Sequence, residues 1–242
     1  MILDNLCVIV FSIRIVQSKG VLTALTYAEL KKNVDIRTYI IKADEALGSL
    51  GYTEHCFAHI CKVAETAGNI LEMLGYDDVV VENAKIAGYL HDIGNIVNRV
   101  DHSQSGGIIA FRFLSHTDMP AESVATIVSA IGNHDEGTGT PVNVVAAALI
   151  LADKSDVRRS RVRNRDITTF DIHDRVNYSV IRSELNINAE KNCIVLSLEI
   201  DTECGSIMDF FEIFLHRMTM CRKAAERLGL KFSLIINGDK MV

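Results

Sequence analysis

Apolar residues recur at helical spacing along the first two thirds of this chain. From Thr26 to about Val157 they stand three and four positions apart in one segment after another, which is typical of amphipathic helices. The sequence contains only two prolines, Pro120 and Pro141, so long helices can run without a break. We therefore predict a bundle of packed helices, with Thr53 capping the second. The expected bounds are about 26–50, 53–74, 79–92, 102–116, 121–134 and 142–157.

The pattern changes near Asp166. We expect a small α+β domain at residues 166–242 behind a helical domain at residues 22–165, so the predicted fold class is mainly α. Apolar residues make up 48% of the chain, which is enough to build a sizeable core. The expected elements of the second domain are strands at 176–182, 193–200 and 231–236 and a helix at 206–228.

The first residues of the chain are apolar but ambiguous. The run MILDNLCVIVFSIRIV lacks a basic start and is interrupted by Asp4, Asn5 and Arg14. It is shorter than the ~20 apolar residues that span a bilayer, and it matches a signal peptide poorly. We treat residues 1–21 as an N-terminal extension, and two interpretations stay open. Either Met1 is not the real start and the segment is translated upstream sequence, or the segment is a buried strand.

Charge and cysteine usage narrow the class of protein. The formal net charge of −6 disfavours a nucleic-acid partner, because phosphate backbones attract basic surfaces. The six cysteines include no C-x-x-C pair, so we interpret them as reduced thiols of a cytoplasmic protein. We expect no membrane partner, and a homodimer remains open.

Histidine and aspartate recur near the core-facing side of the predicted helices. Asp153, for example, follows nine apolar residues, Val144 to Ala152. A carboxylate on a core face is costly unless it is paired or bound to a metal, so for Asp153 alone a buried salt bridge is an equal alternative. The recurrence favours metal, since imidazole nitrogen and carboxylate oxygen together suit divalent ions. The candidate ligands are His59, His91, Asp92, His102, His134 and Asp153.

The sequence around these residues resembles that of a known family. The motifs are HICKVA from His59, YLHDIGN around His91 and Asp92, HSQSGG from His102, and ILADKSD around Asp153. Together they resemble the HD superfamily of metal-dependent phosphohydrolases over roughly residues 52 to 165. The resemblance implies a helical HD domain with one or two divalent ions (Fe, Mn, Zn, Co or Mg). It also implies that His91 and Asp92 are core ligands, and that Asp92 bridges where two ions bind.

Two subfamilies are similar in part. The stretch HDEGTGTP, residues 134–141, resembles the HHE-to-GYP region of the cyclic di-GMP phosphodiesterases. This chain departs from that pattern because Asp135 replaces a histidine, Thr140 a tyrosine and Asn95 a lysine. The ligand string also resembles that of HD enzymes that hydrolyse dinucleoside tetraphosphates. Both comparisons imply a binuclear site.

We therefore expect a phosphohydrolase that acts on a nucleotide or another small phosphorylated metabolite, cleaving a phosphoester or phosphoanhydride by a two-metal hydroxide mechanism. Asp92 and Asp135 are the candidate catalytic residues, although Asp135 is equally well a turn residue. Lys154 and Arg158 are the candidate phosphate contacts, because cationic side chains suit phosphate. The alternative is a non-catalytic nucleotide-binding sensor that signals through its C-terminal domain. His55 is expected to face solvent.

Overall fold

The computed structural model describes residues 25–242, so the interpretations of residues 1–21 concern a segment outside the described residues. Within that range the protein is mainly helical with one small sheet, which confirms the predicted fold class. The helices are α1 (Tyr27–Leu30), α2 (Val34–Ser49), α3 (Phe57–Met73), α4 (Asp78–Leu90), α5 (His102–Leu114), α6 (Ala121–Gly132), α7 (Val144–Ser155), α8 (Ile172–Ser179) and α9 (Ile207–Arg227). The strands are β1 (Val180–Ile187), β2 (Cys193–Ile200), β3 (Lys231–Ile236) and β4 (Asp239–Lys240).

Helix α7 lies at the centre of the bundle. Its residues from Val145 to Ala152 are all buried, and α3, α4, α6 and α9 pack around it. A helix that is apolar on every side needs protein on every side. The central position of α7 consequently holds Asp153, which stands in its last turn, inside the molecule.

Small residues allow α3 and α4 to approach closely. A methyl group added at Gly88 of α4 would lie 2.6 Å from the Cα atom of Ala64 in α3. This close packing brings the ring of His91, which follows α4, within 5.2 Å of the ring of His59 in α3. Glycine at position 88 is therefore part of what assembles the site.

The C-terminal part folds as a four-stranded sheet in the order β1-β2-β3-β4. Strands β2 and β3 are parallel, with Leu196 opposite Leu234, and α9 connects them. Helix α9 packs on β2 and β3 and also against α7 of the bundle. The hydroxyl of Ser183 in β1 donates to the carbonyl of Ser155 at the end of α7, at 2.5 Å. The sheet and the bundle therefore share a packed boundary.

The structure corrects two local predictions. The predicted strand at 176–182 is wrong over most of its length, because α8 runs to Ser179 and β1 begins only at Val180. The side chain of Asp171 caps α8 by accepting from the Asp174 amide at 2.7 Å, which favours helix over strand. Thr53 caps no helix, since α3 begins at Phe57 after Cys56. The domain boundary near residue 166 stays a prediction.

Residues 25–242 contain no helix that is both long and apolar enough to cross a membrane.

Candidate metal centre

The structure brings the six candidate ligands together at one end of the bundle. They come from five different helices or helix ends, so their convergence depends on the packing of the whole bundle. His59 lies in the first turn of α3, His91 and Asp92 directly follow α4, His102 begins α5, His134 follows α6, and Asp153 lies in the last turn of α7.

Asp92 stands between two groups of ligands. Its Oδ2 atom lies 3.1 Å from Nε2 of His91 and 3.6 Å from Nε2 of His59. Asp153 completes this first group, with Oδ1 3.3 Å from Nε2 of His59. The other oxygen of Asp92, Oδ1, lies 3.5 Å from Nε2 of His102 and 4.0 Å from Nε2 of His134. The two histidine nitrogens of this second group are 3.2 Å apart.

The other nitrogen of each histidine ring is held by hydrogen bonding. For three rings the partner of Nδ1 is a backbone carbonyl, which can only accept, so Nδ1 carries a proton and Nε2 is left to face the site. These bonds join His91 to Gly88 at 2.8 Å, His102 to Arg99 at 3.0 Å and His134 to Ile131 at 2.6 Å. In the fourth, Nδ1 of His59 lies 2.8 Å from Oδ2 of the buried Asp156. Such partners orient metal-binding histidines.

The donor atoms fit a divalent cation. Among the described residues, Nε2 of His59 and Nε2 of His91 are buried without a hydrogen-bond partner. Buried polar atoms are normally satisfied, so two such atoms beside carboxylates indicate a missing positive partner. Ligand atoms of His59, His91 and Asp153 lie within 4.8 Å of one another, as do those of His91, Asp92 and His134. The site can therefore hold a divalent metal ion.

Burial and neighbouring charges keep His134 neutral and Asp153 ionised, the protonation states that bind a metal ion, whereas His91 is protonated. Burial lowers the pKa of His134 well below its usual range, so its ring is neutral. Burial alone would raise the pKa of Asp153, but the neighbouring Lys154 ammonium and the site histidines hold it well below its usual range. Burial alone would lower the pKa of His91, yet the carboxylates of Asp92 and Asp153 raise it to about 10. A metal ion would therefore displace a proton from His91.

Of the two predicted phosphate contacts, Lys154 lies in the site and Arg158 does not. The Nζ atom of the buried Lys154 lies 2.7 Å from Oδ2 of Asp153 and 3.5 Å from Oε1 of Glu136. Arg158 lies outside the residues that line the site, and its Nε donates to Oδ1 of Asp156 at 2.9 Å. The structure therefore brings Lys154 to the site and leaves Arg158 behind it.

Asp135 stands at the rim of the second group. Its Oδ1 lies 3.9 Å from Nε2 of His102, and its Oδ2 accepts from the Gly137 amide at 3.1 Å. Its side chain is 31% exposed, so it is accessible from solvent as well as from the site. Asp135 is thus placed both as a turn residue and as a carboxylate near the second group of ligands.

The ligands open into a cleft of about 480 Å³. Four of the predicted ligands line this cleft, as do residues of α8 and α9; the four are Asp92, His102, His134 and Asp153. His55 lines this cleft as well, so the expectation that it faces solvent is wrong; burial lowers its pKa well below the usual range. Sequence reasoning did not assign to the site several residues that line the cleft. They are Arg99, Arg161, Asp171, His173, Asp174, Asn177, Phe214 and Arg217.

Most of this chain is similar to known proteins. The HD domain family matches residues 56–175. An uncharacterized protein of Methanocaldococcus jannaschii is 26% identical over 204 residues, which cover 75% of this chain and 78% of that protein. The crystal structure of a predicted HD superfamily hydrolase from an uncultured Thermotogales bacterium is 25% identical, with a TM-score of 0.43. That likeness covers 55% of this chain and 75% of the other.

The helical bundle and its histidine–aspartate centre define a domain that can bind a divalent metal ion. The chain belongs to the HD superfamily. That membership indicates a metal-dependent hydrolase.

Proposed function

We propose that this protein is a phosphohydrolase that uses two divalent ions to cleave a phosphoester or phosphoanhydride of a nucleotide or another small phosphorylated metabolite. One observation carries the proposal. The two oxygens of Asp92 face separate groups of ligands, so a single carboxylate is placed to serve both halves of a binuclear site. Binuclear sites with a shared carboxylate suit phosphate chemistry, because they contact attacking and leaving oxygens together.

The chain's own residues have distinct parts in this proposal. Divalent ions held by the two groups would acidify a water molecule and offset negative charge on phosphate oxygens. The first group is His59, His91 and Asp153; the second is His102 and His134; Asp92 is common to both. Asp135 holds or accepts a proton at Oδ1, since it is the carboxylate at the rim of the second group. Lys154 fixes the orientation of Asp153 and keeps it ionised.

The size and lining of the cleft support an organic phosphate as the substrate. A volume of about 480 Å³ falls in the range of roughly 300–1,000 Å³ typical of small-molecule sites and exceeds what phosphate alone would fill. The buried Phe214 and the amide of Asn177 line the part contributed by α8 and α9. These side chains offer an apolar surface and hydrogen bonds to the remainder of such a substrate.

Linear nucleotides should be better substrates than cyclic di-GMP. Asn95 is buried and its amide donates to Oδ1 and the carbonyl of Asp92, at 3.0 and 2.8 Å, so it supplies no charge for phosphate. Asp135 adds negative charge near the site, and Thr140 removes an aromatic ring from the same loop. Each departure takes away a feature of the cyclic di-GMP subfamily.

The test is metal analysis of protein purified without oxygen, followed by turnover of a phosphoester panel. Cyclic di-GMP, a mononucleotide and a dinucleoside tetraphosphate should be assayed side by side with added Mn or Fe. We expect two ions per chain and preference for a linear compound. A clear preference for cyclic di-GMP would overturn the substrate assignment, and metal-loaded protein without turnover on any ester would overturn the enzyme assignment.

A nucleotide-binding sensor is the second candidate, and one set of contacts favours it. Nε of Arg217 in α9 donates to Oε1 of Glu136 at 2.7 Å, and Lys154 links Glu136 to Asp153. Charges therefore connect a ligand of the first group to the C-terminal helix. Nucleotide binding that changes the environment of α9 without turnover would support the sensor over the enzyme.

A further inference from the structure

Arg99 lies beside the second group of ligands. It stands between the short helical turn Ile93–Ile96 and α5, and it lines the cleft. Its Nη1 atom is 3.4 Å from Nε2 of His102 and 3.4 Å from Oδ1 of Asn95. Its nearest carboxylate in the described structure is Asp92, whose Oδ1 is 3.9 Å away. Arg99 is thus close to the site without a strong ionic partner.

The other cations of the cleft are already engaged. Lys154 is 2.7 Å from Asp153, and Arg217 donates to Glu136 at 2.7 Å. The guanidinium of Arg161 donates to the backbone carbonyls of Glu54 and Asp156, at 2.9 and 2.8 Å. Arg161 is also buried, so these bonds give it a structural part. Among the cations in the described lining, Arg99 is the one free to bind an incoming anion.

Metal binding would change what Arg99 can contact. Arg99 can donate to the lone pair on Nε2 of His102 only while no metal ion is bound to that nitrogen. A cation bound there would bring two positive centres close together, which is costly unless an anion lies between them. A phosphoryl group meets this requirement, because guanidinium can donate two parallel hydrogen bonds to its oxygens.

A neighbouring aromatic ring supports this position. The guanidinium carbon of Arg99 lies 5.5 Å from the ring centroid of Tyr52, at the edge of the cleft. Contact of this kind favours a cation over the ring face and limits the orientations of the guanidinium. Arg99 is 30% exposed in its side chain, so an anion from solvent can reach it.

We propose that Arg99 binds the phosphoryl group of the substrate on the side of His102 and His134. This inference rests on the proposed phosphohydrolase function and adds a substrate-binding residue to it. Arg99 supplies, four residues later, the positive charge that Asn95 does not supply.

Inorganic phosphate is the probe for this proposal. Its affinity for the full, metal-loaded chain can be measured by calorimetry for the native protein, Arg99→Ala and Arg99→Lys. Arg99→Ala should bind phosphate on the order of ten- to a hundred-fold more weakly, as loss of a charged hydrogen bond implies. The phosphate affinity of Arg99→Lys should lie between those of the native protein and Arg99→Ala, because lysine keeps the positive charge but lacks the planar guanidinium. Metal content should not change.

The matched control is Arg112→Ala, which removes an exposed arginine of α5 that contacts His116 and lies outside the cleft lining. It should bind phosphate like the native protein. Equal phosphate affinity in Arg99→Ala and native protein, or no phosphate binding by either, would overturn the inference. Ester turnover separates the two proposals: phosphate binding through Arg99 without turnover would refute the phosphohydrolase and leave the anion site in place.

Discussion

Nδ1 of His59 lies 2.8 Å from Oδ2 of Asp156, and both side chains are completely buried. Asp156 also accepts from Arg158 and pairs with Lys62 at 2.8 Å and Arg161 at 3.8 Å. The carboxylate therefore orients a candidate ligand from behind while three cations balance its charge. An anionic partner of this kind makes the imidazole a better metal donor.

Asp156→Asn should weaken metal binding without removing a ligand. We expect metal affinity to fall roughly 10–100-fold, the usual cost of losing such a supporting partner. Competition with a chelator of known affinity measures it. Asp201→Asn is the control, because Asp201 pairs with Arg159 at 2.9 Å but contacts no candidate ligand in the described structure. Equal affinity in the two variants would show that Asp156 serves stability alone.

Asp92→Ala should abolish metal binding and turnover and leave the helices largely intact. Asp92 contacts both groups of ligands, so its removal affects each half of the site. The packed core around α7 does not depend on this carboxylate. Elemental analysis measures the metal, and circular dichroism checks the helices. A variant that kept its full metal content would exclude Asp92 as a core ligand.

Removal of the second group should halve the metal content. His102→Ala combined with His134→Ala leaves the ligands that face Oδ2 of Asp92, so we expect one ion per chain where the native protein binds two. Elemental analysis of anaerobically purified protein counts the ions. If native and doubly substituted proteins both bind a single ion, the binuclear proposal is wrong and the second group has another use.

Gly94→Ala should disturb the packing that positions His102. A methyl group there would lie 1.9 Å from the carbonyl of His102 and 2.4 Å from the amide of Gly106, so backbone must move. We expect a loss of roughly 1–3 kcal/mol in the free energy of unfolding, as for other overpacked sites, together with weaker metal binding.

Gly132→Ala is the matched control for that variant. A methyl group at Gly132, at the end of α6, meets no other atom of the described structure within 4 Å. Alanine should be neutral or should stabilise the helix by about 0.5–1 kcal/mol. Chemical denaturation compares the two variants, and similar stabilities would mean that the contact at Gly94 relaxes without cost.

Local pattern predicted the elements better than it predicted the lining of the cleft. The strands at 193–200 and 231–236 match β2 and β3, because each is a short run rich in β-branched and other apolar residues. The segment 176–182 has similar composition, but the cap supplied by Asp171 starts a helix before it. That capping bond is one local feature that favours the helix.

The basic residues show the limit of sequence reasoning more sharply. Arg158 and Arg161 stand three positions apart in a cluster of five arginines at 158, 159, 161, 163 and 165, yet of these two only Arg161 lines the cleft. Arg99 lies outside that cluster, and its Nη1 atom is 3.4 Å from Nε2 of His102, a candidate ligand. The six candidate ligands carried a signal because histidine and aspartate recur near core faces. Arginine is common on protein surfaces, so its position in the sequence does not indicate a site. Only the folded structure distinguishes the positions of Arg99, Arg158 and Arg161.

The contacts of Glu136 indicate at what point of chain synthesis the metal centre can complete its folding. Glu136 lies just after His134 and Asp135, and its segment is held by α9: Arg217 binds its carboxylate, and Nε2 of His216 donates to its carbonyl at 2.7 Å. Every candidate ligand leaves the ribosome before these two residues do. A nascent chain synthesised only as far as α7 therefore contains all six candidate ligands. It still lacks Arg217 and His216, which hold the loop that follows His134. The centre reaches its final form only after α9 has emerged and docked.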